Sequence, residues 1–378
     1  MKPGILIVGR GNSDWVGGLY YTKNITFILS QNAFIRDHYK IYLLVDKENR
    51  NVFDGIENDV EIISAPTTIN KIDRVYRICF SILHKIKYMF PCTARIHDSL
   101  RITGISWIPD FQHNRLTGMY TPEEIDSRVI LSKRIIENGN PLVLSSFDCK
   151  NDAMVYYGRE DNIAVVPFVS FIEHDILGLT ETRETEILNK YKLEKRKYIY
   201  VANQFWKHKN HIVVLEAIKR LVESTRNTFD MVVFTGRLRD PRNPEYIESI
   251  TKYFEDEILK VHLSNLGFID RTEQIAIMKN AAFVIQPSLF EGWGTVVEDA
   301  KVLDKTILLS DIPVHREQMN EKCILFDPHD PAALADLMYA ESQKEHHDDV
   351  EKGIADMYTR AKEYSKGFEQ LLKDLENK

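Results

Sequence analysis

Residues 282–317, AFVIQPSLFEGWGTVVEDAKVLDKTILLSDIPVHRE, dictate most of what this chain can fold into. Phe283, Val284 and Ile285 form a continuous apolar run that suits a strand buried on both faces, and Pro287 and Ser288 stop it. A loop over 289–294 carries Glu291 between an aromatic and the first of two glycines. It empties into a helix whose apolar positions are Val296, Val297, Ala300 and Leu303, and a second strand follows at 306–310. Strand, loop, helix and strand make one βαβ unit, and in open α/β sheets ligands sit outside the carboxyl ends of the strands, where such a loop lies.

The loop has the chemistry of a mixed site. Gly292 and Gly294 let the backbone approach a ligand closely, and a helix starting near Thr295 points unpaired N–H groups at it, which favours an anion such as a phosphate. Glu291 would repel that anion unless it binds a neutral, hydroxyl-bearing part of the same ligand, and a sugar fits. On a helical wheel the apolar stripe centres near Ala300. Asp299 then lies on its flank as the inward carboxylate, while Glu298 lies almost opposite, on the solvated face, three residues before Lys301. The residue pattern alone equally allows a crossover unit with a tight, ligand-free loop.

At 378 residues the chain suits two domains, and its net charge of −7 gives no general attraction to nucleic acid. Cys79, Cys92, Cys149 and Cys323 form no CxxC pair, so neither a disulfide framework nor a zinc site is expected, and a reducing cytosol is the natural location. The opening MKPGILIVGRGN lacks the apolar core of a signal peptide, and no run approaches the roughly 18 apolar residues of a membrane span. A strand at 5–8 leads through GRGNSDWVGG to a helix bearing Leu19, Ile25, Phe27 and Ile28. Asp14 stands where a dinucleotide fingerprint needs its third glycine, so Gly17 and Gly18 read as a close-approach loop or as a tight strand-to-helix turn. Strands at 41–45 and 60–64 continue the alternation. From Lys71 to Phe90, KIDRVYRICFSILHKIKYMF keeps helical spacing with five basic residues against Asp73 alone. Such a helix lies on an anionic membrane surface or packs with a solvated basic face.

A strand at 102–107 runs into WIPDFQHNRL, which places His113 among polar groups at a strand end, as a site residue or as a structural histidine. A helix at 122–137, a strand at 142–146, a helix capped by Asp148 and a strand at 163–166 complete the first half. Polar, charged sequence follows up to Arg196 and reads as a linker with a short helix. A second alternation starts with a strand at 198–202 and NQFWKHKNHIVVLEAIKRL, where Asn210 caps a helix bearing Val213, Val214, Ala217, Ile218 and Leu221. Lys209 at that entrance opposes the helix dipole, which a bound phosphate explains. Otherwise Lys207 and Lys209 are two exposed loop lysines. Strands at 231–236, ending before Arg237, and at 261–269, containing Gly267, precede a helix at 272–281. The HHDD run at 346–349 reads as a solvated face rather than a metal site, and 354–375 as an amphipathic helix that covers something already built.

PSLFEGWGTVVEDA with SDIPVHRE resembles the donor-site signature of retaining nucleotide-sugar glycosyltransferases of the family 4 type. FWKHKNH, LGFI, the WIPDFQH loop and the early Gly17–Gly18 pair follow the family's order along nearly the whole chain. The resemblance implies an α/β GT-B architecture of two Rossmann-like domains facing a cleft. The acceptor-side domain would span 1–170, a linker 171–196, the donor-side domain 197–353, and a helix at 354–378 would cross back onto the first domain. It implies a nucleotide diphosphate sugar as donor substrate, with no cofactor and no metal. Carried over by position, Glu291 binds donor-sugar hydroxyls, Gly292, Trp293, Gly294 and Thr295 offer backbone N–H groups to the diphosphate, and Lys209 binds the same diphosphate. Asp299 stands for the family's ribose-binding glutamate, a shorter carboxylate in the same place. The family's arginine before the lysine is missing. Asn203 stands near its place, and Arg237 is the substitute cation. Gly267 and Phe268 fall near the nucleotide base, and His113 beside the transferred sugar.

The implied reaction is front-face transfer with retention to a hydroxyl of a glycan or lipid-linked saccharide, as in cell-surface polysaccharide biosynthesis. Lys209 and the helix end would stabilise the leaving diphosphate, and the chain has no Asp-x-Asp pair. The expected location is cytoplasmic, with the basic helix as a possible contact to the membrane surface. Two other readings share this architecture: a nucleotide-sugar epimerase, and a nucleotide-sugar-binding partner or regulatory subunit without turnover.

Overall fold

Short apolar runs alternating with amphipathic helices produce parallel pairing in every sheet. The computed structural model describes residues 2–9, 16–57, 60–65, 80–94, 96, 100–224 and 229–377. The chain forms two units. One contains Met1–Arg115, Pro122–Phe171 and Met357–Lys378, the other Leu116–Thr121 and Ile172–Asp356.

In the first unit, β1 (Gly4–Gly9), α1 (Val16–Ser30), α2 (Ala33–His38), β2 (Lys40–Asp46), β3 (Glu61–Ala65), β4 (Ile86–Phe90) and β5 (Thr103–Gly104) build a sheet ordered β3-β2-β1-β4-β5. The chain changes sheet at Ile105. Next come β6 (Ser106–Trp107), α3 (Gln112–Arg115), α4 (Pro122–Glu137), β7 (Leu142–Leu144), α5 (Phe147–Tyr157) and β8 (Ile163–Val165), with β6-β7-β8 as a second sheet. The single strand expected over 102–107 is therefore two short ones.

The helix expected from Lys71 to Phe90 does not run its length. Residues 71–79 lie outside the described residues, 80–83 are helical, and 86–90 are β4, paired with β1 and β5. Ile86, Tyr88 and Phe90 are buried, and period-2 burial between two strands overrides the helical spacing. Lys87, counted on a free basic face, is bound to Glu376 at 2.9 Å. Gly17 and Gly18 lie in the first turn of α1, and a side chain at Gly17 would meet nothing within 4 Å. The N-cap of α5 is Ser146, whose hydroxyl accepts from the Cys149 N–H (3.0 Å). Asp148, expected there, is paired with Arg115 instead.

The second unit begins with α6 (Glu173–Leu177) and α7 (Glu181–Lys190), where a linker was expected. They are followed by β9 (Tyr198–Ala202), α8 (His211–Glu223), β10 (Met231–Thr235), α9 (Pro244–Glu255), β11 (Leu263–Asn265), α10 (Arg271–Asn280) and β12 (Val284–Gln286). The unit continues with α11 (Thr295–Val302), β13 (Ile307–Ser310), α12 (Pro313–Gln318), β14 (Cys323–Phe326) and α13 (Pro331–Ser342). The second of these, α7, is tied to α10: Glu184 accepts from Lys279 and Asn280, and Glu273 accepts from Lys190 (2.5 Å) and Tyr191 (2.6 Å). Some of the charge in 171–196 thus serves specific pairs, while Glu181, Glu186, Lys192, Glu194 and Lys195 stay exposed. The HHDD run is likewise no solvated face throughout, because the Asp348 carboxylate is buried against Arg196 and the fully buried Lys305.

The sheet of this unit is ordered β11-β10-β9-β12-β13-β14, so the winding reverses between β9 and β12. Connections leaving those two strands go to opposite faces, which opens a crevice at their carboxyl ends. Gly236, ending β10, has φ +130°, and a Cβ there would lie 2.3 Å from the Asn203 carbonyl oxygen. Only glycine lets these two loops pass so closely.

The closing helix, α14 (Val350–Glu376), contributes to both units, which divide at Asp356/Met357. On the first unit it buries Met357, Ala361, Phe368 and Leu372 completely, and Asn32, capping α2, donates to its Ser365 (2.9 Å) and Glu369 (2.8 Å). Gly367 sits on β8, where an added Cβ would stand 2.3 Å from the Val165 carbonyl oxygen. Gly367→Ala is expected to lower stability by roughly 1–3 kcal/mol through overpacking, read as a fall of several degrees in a thermal melt. An unchanged melt would mean the helix is not seated there.

Candidate functional site

The site grows out of the winding reversal. At the end of β9, Asn203 turns its Nδ2 to the Gln286 Oε1 at the end of β12 (2.8 Å), bridging the crevice floor. The loops beyond are laced together: the Leu289 N–H donates to the His208 carbonyl (2.8 Å), and Asn210 Nδ2 donates to the carbonyls of Pro287 (3.2 Å) and Pro328 (2.8 Å). Asn210 does not cap α8 with its side chain as expected. It sits in the left-handed region at φ 55°, and its amide serves the two loops instead.

This lacing brings Lys209 to Glu291. Lys209 Nζ lies 2.5 Å from Glu291 Oε1, which also accepts from Ser288 Oγ (2.6 Å) and Gln286 Nε2 (3.0 Å). Burial alone would raise the Glu291 carboxyl, but Lys209, with His208 and His315 near, outweighs it and holds it down to about 2. A charge-assisted contact of this kind favours the carboxylate form of Glu291. Gln286 and Ser288 were not read as site residues from the sequence. A glutamine ending the apolar run VIQPS was the available signal, since a polar residue at a buried strand end needs a partner.

Around the loop, Gly292 and Trp293 are buried and Thr295 opens α11, with Gly294 as its N-cap. The Gly294 N–H is already donated to Gln318 Oε1 (2.9 Å), and Gln318 Nε2 returns to the Gly294 carbonyl (3.1 Å). One N–H expected to face a diphosphate thus fixes the loop to α12. Asp299 points inward as expected, fully buried, and takes a two-pronged contact from Arg271: Nη1 to Oδ2 at 2.7 Å and Nη2 to Oδ1 at 2.5 Å. Glu298 is not on a solvated face. It is also fully buried, accepting from Lys301 Nζ (2.9 Å) and Gln318 Nε2 (3.1 Å), because α12 covers the side of α11 that a wheel of the isolated helix leaves open.

Arg237 is exposed, with its guanidinium 4.9 Å over the ring of Phe268, which is 55% exposed beside Gly267 at φ +70°. An exposed aromatic stacked on a cation is a ready platform for a flat ring. Lys207 instead leans toward Glu245 at 3.6 Å. In the first unit His113 is buried, its Nε2 at 3.1 Å from the Tyr157 hydroxyl, which donates to Asn114 (2.9 Å). Burial, with Arg128 adding, lowers this imidazole to about 4, so it is neutral at physiological pH.

Residues 183–357 match the family Glycosyl transferases group 1. The O-antigen chain mannosyltransferase RfbU of Salmonella typhimurium is 23% identical over 189 residues, half of each chain, so this chain spans about half the length of that curated relative in the match. Solved structures align over nearly the whole chain. A glycosyltransferase from Rickettsia africae gives a TM-score of 0.61 at 15% identity over 99% of this chain and 97% of that one. HepE of Anabaena, in complex with UDP and glucose, gives 0.63 at 11% identity over 100% of each. The fold is the α/β GT-B type with two Rossmann-like units, as the sequence leads one to expect.

Two measurements check the electrostatics. Lys209→Met leaves the Glu291 charge without its main partner and is expected to cost roughly 3 kcal/mol, with part of the loss restored by adding Glu291→Gln. Strictly additive losses would show that the two groups do not interact. Burial also pushes His208 and His211 down to about 3 and His315 to about 4, from an ordinary 6.5. Unfolded imidazoles gain protons below pH 6.5 while these stay neutral, so stability is full above that pH and falls as pH drops toward 4. At pH 5 each contributes a loss of roughly 2 kcal/mol. The melting temperature should therefore be several degrees lower at pH 5.0 than at pH 7.5, and equal values would show these rings to be solvated.

Proposed function

We propose that this chain is a retaining glycosyltransferase that moves a sugar from a nucleotide diphosphate donor to a hydroxyl of a glycan or lipid-linked saccharide in cell-surface polysaccharide synthesis. The observation that carries the reading is the part-buried Lys209–Glu291 contact at the winding reversal of a six-stranded parallel sheet. A cation and an acceptor side by side suit a ligand that is anionic at one end and hydroxylated at the other. The match to group 1 glycosyl transferases covers these residues, RfbU acts on an O-antigen chain, and HepE was solved with UDP and glucose.

In this reading the donor separates the pair. Lys209 Nζ moves onto the diphosphate, joined by the N–H groups at the start of α11, and Glu291 accepts from the sugar hydroxyls. As the bond from the anomeric carbon to the diphosphate oxygen breaks, negative charge grows on the leaving group. Lys209 and the helix end stabilise it without a metal. The acceptor hydroxyl attacks from the face the diphosphate leaves and passes its proton to the departing diphosphate oxygen, so the new bond forms with configuration retained. Gly267 and Phe268, with Arg237 behind the ring, take the base. The protein would work on the cytoplasmic side of the membrane, and no described helix is long and apolar enough to cross it.

Donor turnover in a panel of UDP- and GDP-sugars tests the assignment. Glu291→Ala and Lys209→Ala should each lower it by at least about 100-fold, with EDTA leaving the parent rate unchanged. Unaltered turnover in both variants would sink the site. Binding without turnover in the parent protein would instead identify a nucleotide-sugar-binding subunit.

A further inference from the structure

The carboxylate at position 299 is in the place where the family resemblance expects a ribose-binding group, but its chemistry there has changed. Both Asp299 oxygens accept from Arg271, at 2.5 and 2.7 Å, and the carboxylate is fully buried. Arg271 is the first residue of α10 and follows the Gly267–Phe268 turn at the carboxyl end of β11. Gln274 steadies it through Nη1 (3.0 Å), and its side chain keeps 14% of its surface exposed. The pair lies near enough to the Tyr200 hydroxyl to act on it electrostatically, Arg271 more strongly than Asp299. Asp299 therefore has no exposed surface of its own here, and both of its oxygens are already engaged by Arg271.

This alters what can be read from a nucleoside. A site recognises a hydroxyl strongly when losing that hydroxyl strands a buried polar group. A free carboxylate facing a ribose diol is such a group, because it loses a charge-assisted partner when the 2′-hydroxyl is missing. Here Arg271 supplies two charge-assisted bonds to Asp299 whether or not a nucleoside is present, so a missing 2′-hydroxyl strands nothing.

We infer that Arg271, positioned by Asp299, replaces ribose-diol recognition, so that the donor site takes 2′-deoxyribonucleoside and ribonucleoside diphosphates with similar affinity. This rests on the donor-site reading above. Asp299 acts through Arg271 as a positioning residue. The donor it admits is defined by base and diphosphate rather than by the sugar of the nucleoside, and thymidine diphosphate sugars belong to the class it accepts.

Calorimetric titration of the full chain with UDP and dUDP, and with GDP and dGDP, tests this. For whichever base binds, the ribo and deoxy dissociation constants should agree within about threefold. The double variant Arg271→Ala/Asp299→Glu frees a longer carboxylate, and its preference for the ribonucleotide should rise to roughly tenfold or more. Arg271→Lys, which keeps a charge beside Asp299 but loses the two-pronged contact, is the milder variant should the double one not fold. It should shift the ratio in the same direction. A parent protein that prefers the ribonucleotide by about tenfold overturns the inference. So does a ratio that moves in neither variant, which would leave the Arg271–Asp299 pair purely structural. Failure of all four nucleotides to bind would remove the donor-site reading itself.

Discussion

Lys209 and Glu291 meet only because two loops from opposite turns of a doubly wound sheet are laced across the point where the winding reverses. Each charge alone would be costly in this part-buried place, and each is offset by the other at 2.5 Å. The surrounding polar groups serve this contact. Asn203 fixes Gln286, Gln286 and Ser288 donate to Glu291, and Ser310 ties the Ser288 carbonyl from the next strand (2.6 Å). A network in which each member orients the next holds its geometry before any ligand arrives, and preorganisation of that kind makes an electrostatic site effective.

Much of this was legible in the sequence, for a physical reason. Apolar runs buried on both faces, glycines at close approaches and a lysine working against a helix dipole are all local signals, and they located β9, β12, α11, Lys209 and Glu291. What was not legible depends on partners distant in sequence. The 86–90 stretch alternates and also fits helical spacing, and only pairing with β1, some eighty residues earlier in the chain, decides for a strand. Glu298 looks solvated on an isolated wheel, and only α12 packing over it supplies Gln318 and buries it. Arg271 could not be assigned to Asp299 from spacing, because the two are on different helices that face each other only in the folded unit.

The charged segment before β9 shows the same limit. Composition marks 171–196 as a solvated linker, but Glu184 and Glu273 find Lys279, Asn280, Lys190 and Tyr191 and bind α7 to α10. A charge count cannot separate ions facing water from ions facing one another. The buried Lys305, clasped by Asp348 and backbone carbonyls, is the extreme case: it is fully hidden, and burial pulls it down to about 8.

The placement of the closing helix also fixes an order of events in synthesis. The first unit is discontinuous, since Met357, Ala361, Phe368 and Leu372 fill its core from beyond the whole second unit. As the chain emerges, β1 to β8 are made early but lack this layer until nearly 200 further residues have followed. The apolar surface that awaits Phe368 and Leu372 stays uncovered for that interval, while the second unit, apart from the short 116–121 segment, has its strands and helices in one continuous run. The half of the chain synthesised first is therefore the last to be completed, and during that delay it is the half most exposed to misassociation.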